Sequence, residues 1–203
     1  MPEACPFNLS RRKFLGQVAS GLIVSAISPI AFATVERLPA TPRITLGRDW
    51  RQVLLNRDRW LSLEREATGE KGTFRYYQSG KGFDGRGYLA ACHLLRDVAS
   101  SKVVHMDKRL IDLLYLIQSW CRINGKPYII TIMSGYRTPA YNARVAGAAR
   151  NSEHTKGTAA DIRIKGLSTH DLGVLAREIG VGGVGFYTGR GFIHIDVGRV
   201  RQW

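Results

Sequence analysis

The sequence predicts one α+β domain in which helices pack on a small, mainly antiparallel sheet. Segments of helical periodicity are mixed with short β-branched runs, and the two do not alternate in the regular order that a parallel sheet requires. The chain has 203 residues, 44% of them hydrophobic and 23% charged, which excludes a wholly disordered or collagen-like chain. Its three cysteines are too few for a disulfide-rich mini-fold or a four-cysteine zinc module.

The first 33 residues have the composition of an export signal. Arg11 and Arg12 stand just before a Phe-Leu pair, an apolar run covers residues 17–33, and Ala31-Phe32-Ala33 at its end is a signal-peptidase site. Paired arginines in this setting resemble the twin-arginine signal, which a receptor reads as an address. We therefore expect the following domain to lie in the periplasm. An uncleaved membrane anchor is the alternative.

The net charge of the chain, +14, predicts attraction to a polyanion. Removing residues 1–33 would remove three basic residues and one acidic residue and leave a net charge of +12. An exported domain does not meet cytoplasmic nucleic acid. The charge then indicates the anionic cell wall or the membrane surface in place of nucleic acid. Of these we expect the cell-wall polymer as the partner, no nucleic acid, and only transient membrane contact through the signal.

Residues 34–48 carry two prolines and no periodicity, and this pattern predicts a linker before a domain at 49–203. In the first half of the domain, Phe74–Gln78 is a short aromatic run of the kind found in strands. Two helices are expected after it. One contains Leu89, Cys92, Leu95 and Val98 at helical spacing, and the other begins after the cap Asp107 and ends near Gly125.

The second half of the domain mixes strands and helices. Caps, a first-turn proline and β-branched alternation predict the following elements in chain order. They are a strand at 128–133, a short helix from Thr138-Pro139 through Val145, a loop at 146–152, a strand at 159–164, a helix capped by Ser168 or Thr169 and closed by Gly180, a glycine-rich turn region within 180–191, and a strand at 192–197.

Polar residues interrupt two of these strands at regular positions. Because side chains alternate across a strand, His194 and Asp196 share the face opposite the apolar residues between them. Asp161 faces away from its apolar neighbours by the same rule. If the two strands pair, Asp161 and His194 point into one groove, and Gly157 lets the chain turn so that His154 folds back near Asp161.

Two imidazoles and one carboxylate are the number of protein ligands that a catalytic zinc site uses, with a fourth position left for water. Such a water becomes a nucleophile for carbonyl hydrolysis. Taken singly, a histidine or an aspartate beside a strand is more often a surface or hydrogen-bonded group than a metal ligand.

Three motifs taken together are far more specific than any one of them. They are Ser152-x-His154-x(6)-Asp161, His194-x-Asp196 and Ser134-Gly135-Tyr136-Arg137-Thr138. The set resembles the zinc D-alanyl-D-alanine peptidases and murein endopeptidases, in particular the murein endopeptidase K branch. This family shares its fold with VanX-type dipeptidases and the Hedgehog signalling domain. The resemblance extends over roughly residues 58–203.

The resemblance implies a zinc peptidase that hydrolyses peptide cross-links of peptidoglycan through a zinc-bound water. His154, Asp161 and His194 would hold Zn²⁺. Arg137 would orient the substrate or stabilise negative charge on the scissile carbonyl oxygen, and Ser152 would hydrogen-bond the substrate backbone. The cross-link could join D-alanine to diaminopimelate or diaminopimelate to diaminopimelate.

One position departs from the family pattern. Better-known members carry an acidic residue or a histidine shortly before the last zinc ligand as general base, but Gly191 stands here and residues 189–193 contain no carboxylate. Asp196 is the nearest candidate, either as general base or as a partner that orients an imidazole. The missing base also motivates an alternative function, a non-catalytic, zinc-containing cell-wall-binding module of the same fold.

Two cysteines, Cys92 and Cys121, belong to the predicted domain. An oxidising compartment favours a disulfide between them. The twin-arginine route, however, carries folded proteins, and sequence spacing does not tell whether the two Cα atoms come within reach. The disulfide is therefore an open question at this point.

Overall fold

The computed structural model describes residues 49–203, so the predicted signal at 1–33 and linker at 34–48 lie outside the described residues. Within residues 49–203, five helices pack on an eight-stranded sheet, which confirms the expected α+β class. Within the described range, the helices lack the combined length and apolar character that a bilayer span requires.

The eight strands form a single sheet. They are β1 (Arg59–Arg65), β2 (Lys71–Gln78), β3 (Gly82–Phe83), β4 (Ile130–Ser134), β5 (Ala159–Ile164), β6 (Gly183–Tyr187), β7 (Phe192–Asp196) and β8 (Arg201–Gln202). Their spatial order is β3-β2-β1-β4-β5-β7-β6-β8. Only the β1–β4 and β6–β8 pairs in this sheet are parallel, so the sheet is mainly antiparallel as expected.

Each helix begins at a residue whose side chain accepts a backbone hydrogen bond. The helices are α1 (Trp50–Leu55), α2 (Gly85–Leu94), α3 (Lys108–Ile123), α4 (Pro139–Asn142) and α5 (Thr169–Ile179). Asp107 caps α3, as predicted, and Ser168 rather than Thr169 caps α5. Gly180 ends α5 with φ of +72°, a backbone conformation that glycine adopts without a steric penalty.

The hydrophobic core lies between the helices and one face of the sheet. Ile162, Ile193 and Ile195 of the central strands are fully buried in this core, and each such side chain stabilises the fold by about 1.5–3 kcal/mol. Strand alternation then turns Asp161 and His194 to the opposite face. The core therefore determines which side chains reach the groove.

The predicted turn region at 180–191 is wrong in part, because its middle forms β6. Glycines at 183 and 185 hide the strand signal. Structurally they are required, because a Cβ on Gly183 would lie 2.5 Å from the guanidinium of Arg201 and a Cβ on Gly185 would lie 2.7 Å from the ring of Trp203. Side chains from β8 and just after it occupy the space that strand side chains would normally fill.

Three smaller predictions also differ from the structure. The helix from Pro139 ends at Asn142 rather than Val145. Leu89 is half exposed, since α2 buries the neighbouring positions Tyr88 and Cys92 instead. Strand β1 was not expected, because charged residues at both of its ends mask the buried leucines at its centre.

Both cysteines of the described residues are free thiols in the core. Cys92 and Cys121 are each fully buried, and the backbone N–H of Met106 lies 3.5 Å from the sulfur of Cys92. The disulfide that the sequence leaves open is therefore not formed between them.

Candidate metal centre

Three side-chain atoms converge on one point at the groove face of the sheet. The His154 Nε2 lies 3.1 Å from Asp161 Oδ1 and 3.1 Å from His194 Nδ1, and His194 Nδ1 lies 3.0 Å from Asp161 Oδ1. All three residues are buried. They are separated by up to 40 positions along the chain, so the fold and not local sequence brings them together.

The register of two strands places two of these residues opposite each other. Asp161 on β5 is the cross-strand partner of His194 on β7, so the alternation expected from the sequence is confirmed. His154 lies on a 3₁₀ turn, Glu153–Lys156, just before β5. Gly157 ends that turn with φ of +73°, which returns the chain toward the sheet as expected.

The His154 ring is held by the backbone of the loop after β4. Its Nδ1–H donates to the carbonyl of Gly135 at 2.6 Å, which leaves the Nε2 lone pair for the cluster. A side chain at position 135 would collide with the carbonyl oxygen of Leu95, only 2.2 Å from the Cβ site. The Gly of the Ser-Gly-Tyr-Arg motif therefore allows the close approach that orients His154.

The His194 ring is held from its other side by Asp196. His194 Nε2 lies 3.1 Å from Asp196 Oδ2, while its Nδ1 faces Asp161. Asp196 is fully buried, and the N–H groups of Gly183 and Gly198 donate to its Oδ1. The Asp196 carboxylate therefore lies behind the imidazole, away from the convergence point.

The electrostatics of the cluster favour a cation. Burial lowers the pKa of His154, which keeps its ring neutral and able to coordinate. Burial would raise the pKa of Asp161, but hydrogen bonds with both histidines outweigh it and hold that pKa well below its usual range. Burial also lowers the pKa of His194, yet bonds to Asp161 and Asp196 prevail and raise it. Burial would raise the pKa of Asp196 too, but hydrogen bonds with His194 and Arg201 outweigh it and hold that pKa well below its usual range, so both carboxylates remain ionised beside the rings.

Arg137 reaches the same cluster from the loop after β4. Its Nη2 donates to Asp161 Oδ2, and its Nε donates to the hydroxyl of Ser134 at 2.8 Å. Its Nη1 makes no hydrogen bond within residues 49–203. The guanidinium also lines the groove, so one nitrogen is available to a molecule bound there.

Ser152 begins the 3₁₀ turn that carries His154. Its hydroxyl oxygen accepts the backbone N–H of His154 at 3.3 Å, and the residue lines the groove at 9% exposure. The hydroxyl hydrogen is still available as a donor. Ser152 therefore lies where it both stabilises the turn and faces the groove.

The convergence point opens into a groove of about 460 Å³. Besides the cluster, its wall includes Tyr187, Arg190, Arg201 and Trp203. The sequence did not single out Arg201 or Trp203. A tryptophan two residues after an arginine carries no recognisable chemical pattern, and only the pairing of β8 with β6 brings both side chains to the site.

The three donors fit a zinc ion. Tetrahedral Zn²⁺ with nitrogen and oxygen ligands at about 2.0–2.2 Å separates its ligand atoms by about 3.3–3.6 Å. The observed separations of 3.0 and 3.1 Å are slightly shorter than this range, so a small outward movement of the side chains would accommodate the ion. Among the described residues, this His-Asp-His set is the group of histidine, cysteine and acidic side chains that could hold a metal ion.

Comparison with known proteins gives one family and several curated relatives. Residues 54–203 match the family model described as peptidoglycan L,D-endopeptidase MepK. Peptidoglycan L,D-endopeptidase MepK of Escherichia coli (strain K12) is 35% identical over 209 residues, covering 97% of this chain and 98% of the relative. Probable peptidoglycan L,D-endopeptidase MepK of Haemophilus influenzae is 33% identical over 200 residues, covering 96% and 95%. The similarity therefore extends along nearly the whole chain.

Proposed function

The chain belongs to the peptidoglycan L,D-endopeptidase MepK family of M15 peptidases, and on this premise we propose that it is a zinc-dependent hydrolase of peptidoglycan cross-links. The observation that carries the proposal is the convergence of two imidazoles and one carboxylate at the floor of an open groove. His154, Asp161 and His194 would hold the metal ion. Three protein ligands leave room for solvent or substrate.

Zinc in such a site lowers the pKa of a coordinated water toward neutrality and polarises a carbonyl group. The chain's own residues prepare the surroundings for that chemistry. Arg137 would place its Nη1, which makes no hydrogen bond to the described residues 49–203, toward negative charge developing on the scissile carbonyl oxygen, where one donor is worth about 2.7–4 kcal/mol of barrier. The hydroxyl of Ser152 would donate to a backbone carbonyl of the bound peptide.

Of the two roles open for Asp196, we assign orientation of His194. A general base must reach the attacking water directly or through one further water. Asp196 is fully buried behind the imidazole ring, and both of its oxygens are engaged by donors. Carboxylate–imidazole pairs of this kind fix the tautomer and raise the basicity of metal-bound histidines.

The stereochemistry in the relatives' name favours one of the two cross-links. A bond from D-alanine to the D centre of diaminopimelate joins two D centres. A bond between two diaminopimelate residues joins an L-centre carbonyl to a D-centre amine. We therefore assign the diaminopimelate–diaminopimelate bond as the substrate.

This activity requires a location outside the cytoplasm. Residues 1–33 have the features of a twin-arginine signal peptide, which would deliver the domain to the periplasm. The net charge of +12 that remains after residues 1–33 would hold the enzyme near an anionic wall polymer. Membrane contact would be limited to the signal.

The test is mass spectrometry of muropeptides released from purified sacculi by zinc-loaded protein. We expect cross-linked dimers of the diaminopimelate–diaminopimelate type to be converted to monomers. His154→Ala and Asp161→Ala should abolish both bound zinc and monomer release. His93→Ala is the matched control, since the side chain of this exposed histidine bonds only Glu70 among the described residues.

Three results would contradict the proposal in different ways. Undiminished release by the ligand variants would exclude the metal site as the catalytic centre. Cleavage restricted to D-alanyl dimers would refute the assigned bond. Zinc-loaded protein that binds sacculi but releases nothing would instead support the non-catalytic module.

A further inference from the structure

Arg201, on strand β8, forms an ion pair with Asp196, the carboxylate that contacts His194. Its Nη2 donates to Asp196 Oδ2 at 2.7 Å and its Nη1 donates to Asp196 Oδ1 at 3.1 Å. A bidentate arginine–carboxylate pair fixes the plane of the carboxylate as well as its position. Asp196 Oδ2 then meets His194 Nε2. A continuous chain of contacts thus runs from β8 to the convergence point.

Trp203 covers the same imidazole from the groove side of the sheet. Its indole ring centre lies 5.4 Å from that of His194, and its Nε1–H donates to the hydroxyl of Tyr187 at 3.2 Å. The guanidinium of Arg201 lies 4.9 Å above the indole ring, within the range of a cation–π interaction. The two side chains therefore stabilise each other.

Backbone pairing fixes these two residues beside the site. The N–H of Trp203 donates to the carbonyl of Val184, and its carbonyl accepts the N–H of Phe186. Gly183 and Gly185 leave open the space that Arg201 and Trp203 occupy. Strand β6 pairs with β7, the strand that carries His194. It therefore has glycines at the positions where the side chains of Arg201 and Trp203 need space.

We propose that Arg201 and Trp203 are positioning residues of the metal centre, which keep His194 Nδ1 aimed at the ion through Asp196 and through ring packing. The inference rests on the proposed function and adds to it a control of metal affinity from strand β8. Without Arg201, the buried Asp196 carboxylate loses its only charged donor other than an imidazole within the described residues. The N–H groups of Gly183 and Gly198 still hold Asp196 Oδ1, but Oδ2, which meets His194 Nε2, is no longer fixed by Arg201, so the His194 ring can turn away.

The first test measures Zn²⁺ affinity by competition with a chromophoric chelator. We expect Arg201→Ala to weaken zinc binding by about tenfold, the lower end of the usual effect of removing a partner that orients a metal ligand, because Arg201 acts on His194 through Asp196. Arg201→Lys, which keeps the charge but not the bidentate geometry, should fall between this variant and wild type. Arg177→Ala is the matched control, because Arg177 contacts Gln202 of the same strand but not Asp196.

The second test separates ring packing from the indole hydrogen bond. Trp203→Phe keeps an aromatic ring over Gly185 and should retain zinc affinity within about threefold of wild type, whereas Trp203→Ala should weaken it by at least tenfold. The visible absorption of the Co²⁺-loaded protein reports ligand geometry. It should change in Arg201→Ala and Trp203→Ala and stay as in wild type in Trp203→Phe.

Circular dichroism and thermal unfolding of the apo variants show whether they are folded. If Arg201→Ala is not folded, the zinc-affinity test is made with Arg201→Lys. Zinc affinity and a Co²⁺ spectrum equal to wild type in folded Arg201 variants would overturn this inference and leave the proposed function intact. A wild-type chain that binds no zinc would overturn both.

Discussion

The sequence leaves Asp196 two roles, general base or orientation of His194. Its buried environment behind the His194 ring favours orientation. Asp196→Asn preserves the size of the side chain and removes its charge. We expect zinc affinity to fall by about 10- to 100-fold, because the amide orients His194 less firmly and no longer raises its basicity. At saturating zinc, kcat should recover to within about tenfold of wild type.

The measurement is a zinc titration combined with turnover on isolated cross-linked muropeptides. A general base would give the reverse pattern: unchanged zinc affinity and a kcat that stays low at every zinc concentration. That pattern would contradict the orienting role of Asp196.

The two core cysteines give a second prediction about individual residues. Burial raises the pKa of Cys121 to about 11 and also raises that of Cys92. Because the thiolate is the reactive form, both thiols should resist iodoacetamide at pH 8 in the native protein and react rapidly in denaturant. Intact-mass analysis counts the modified sites. A denatured, unreduced chain in which Cys92 and Cys121 stay unmodified would show a disulfide and contradict the structure.

The neighbouring strands β6 and β8 depend on glycine at specific positions. A Cβ on Gly185 would lie 2.7 Å from the Trp203 ring, while a Cβ on Gly189 would meet nothing within 4 Å. We expect Gly185→Ala to lower the free energy of unfolding by about 1–3 kcal/mol, the usual cost of overpacking. Gly189→Ala should change it by less than about 0.5 kcal/mol. Urea denaturation checks both values, and equal stability of the two variants would contradict this packing.

Asp97 joins the end of α2 to the start of α4. It is 1% exposed, and its Oδ2 accepts both the N–H and the hydroxyl of Thr138 at 2.8 Å. Burial would raise the pKa of Asp97, but these bonds and those from the N–H groups of Ala99 and Ser100 outweigh it and lower that pKa. A lowered folded-state pKa contributes stability above the unfolded value of about 3.9, and this stability is lost as the pH falls through the folded value.

Asp97→Asn should therefore cost about 1–3 kcal/mol at pH 7 and progressively less below about pH 4. Urea denaturation of both proteins between pH 7 and pH 3 measures the difference. A difference that stays constant over this range would show that the Asp97 charge is not the source of its contribution.

Sequence periodicity was sufficient where a strand alternates and insufficient where glycine replaces the alternating residue. The faces of β5 and β7, and hence the approach of Asp161 to His194, follow from their isoleucines. Strand β6 was missed because Gly183 and Gly185 carry no periodic signal. The bond from His154 to the carbonyl of Gly135 depends on a close backbone approach that residue types alone do not encode.

In the molecule as a whole, one sheet has two different faces. Helices cover one face with an apolar core, and the other face holds the groove and its charged cluster. The fold class and the three converging residues could be predicted from sequence, because a hydrophobic core forces polar residues of alternating strands to the opposite face. The contribution of Arg201 and Trp203 from β8 could not be predicted from sequence, since it depends on which strand lies next to β6.

Zinc K-edge X-ray absorption on the wild-type protein loaded with one equivalent of zinc tests whether His154, Asp161 and His194 bind the same ion. We expect two imidazole nitrogens and oxygen ligands from one carboxylate and solvent at about 2.0–2.2 Å. A sulfur ligand at about 2.3 Å, a single imidazole, or a first shell unchanged in His194→Ala would contradict it.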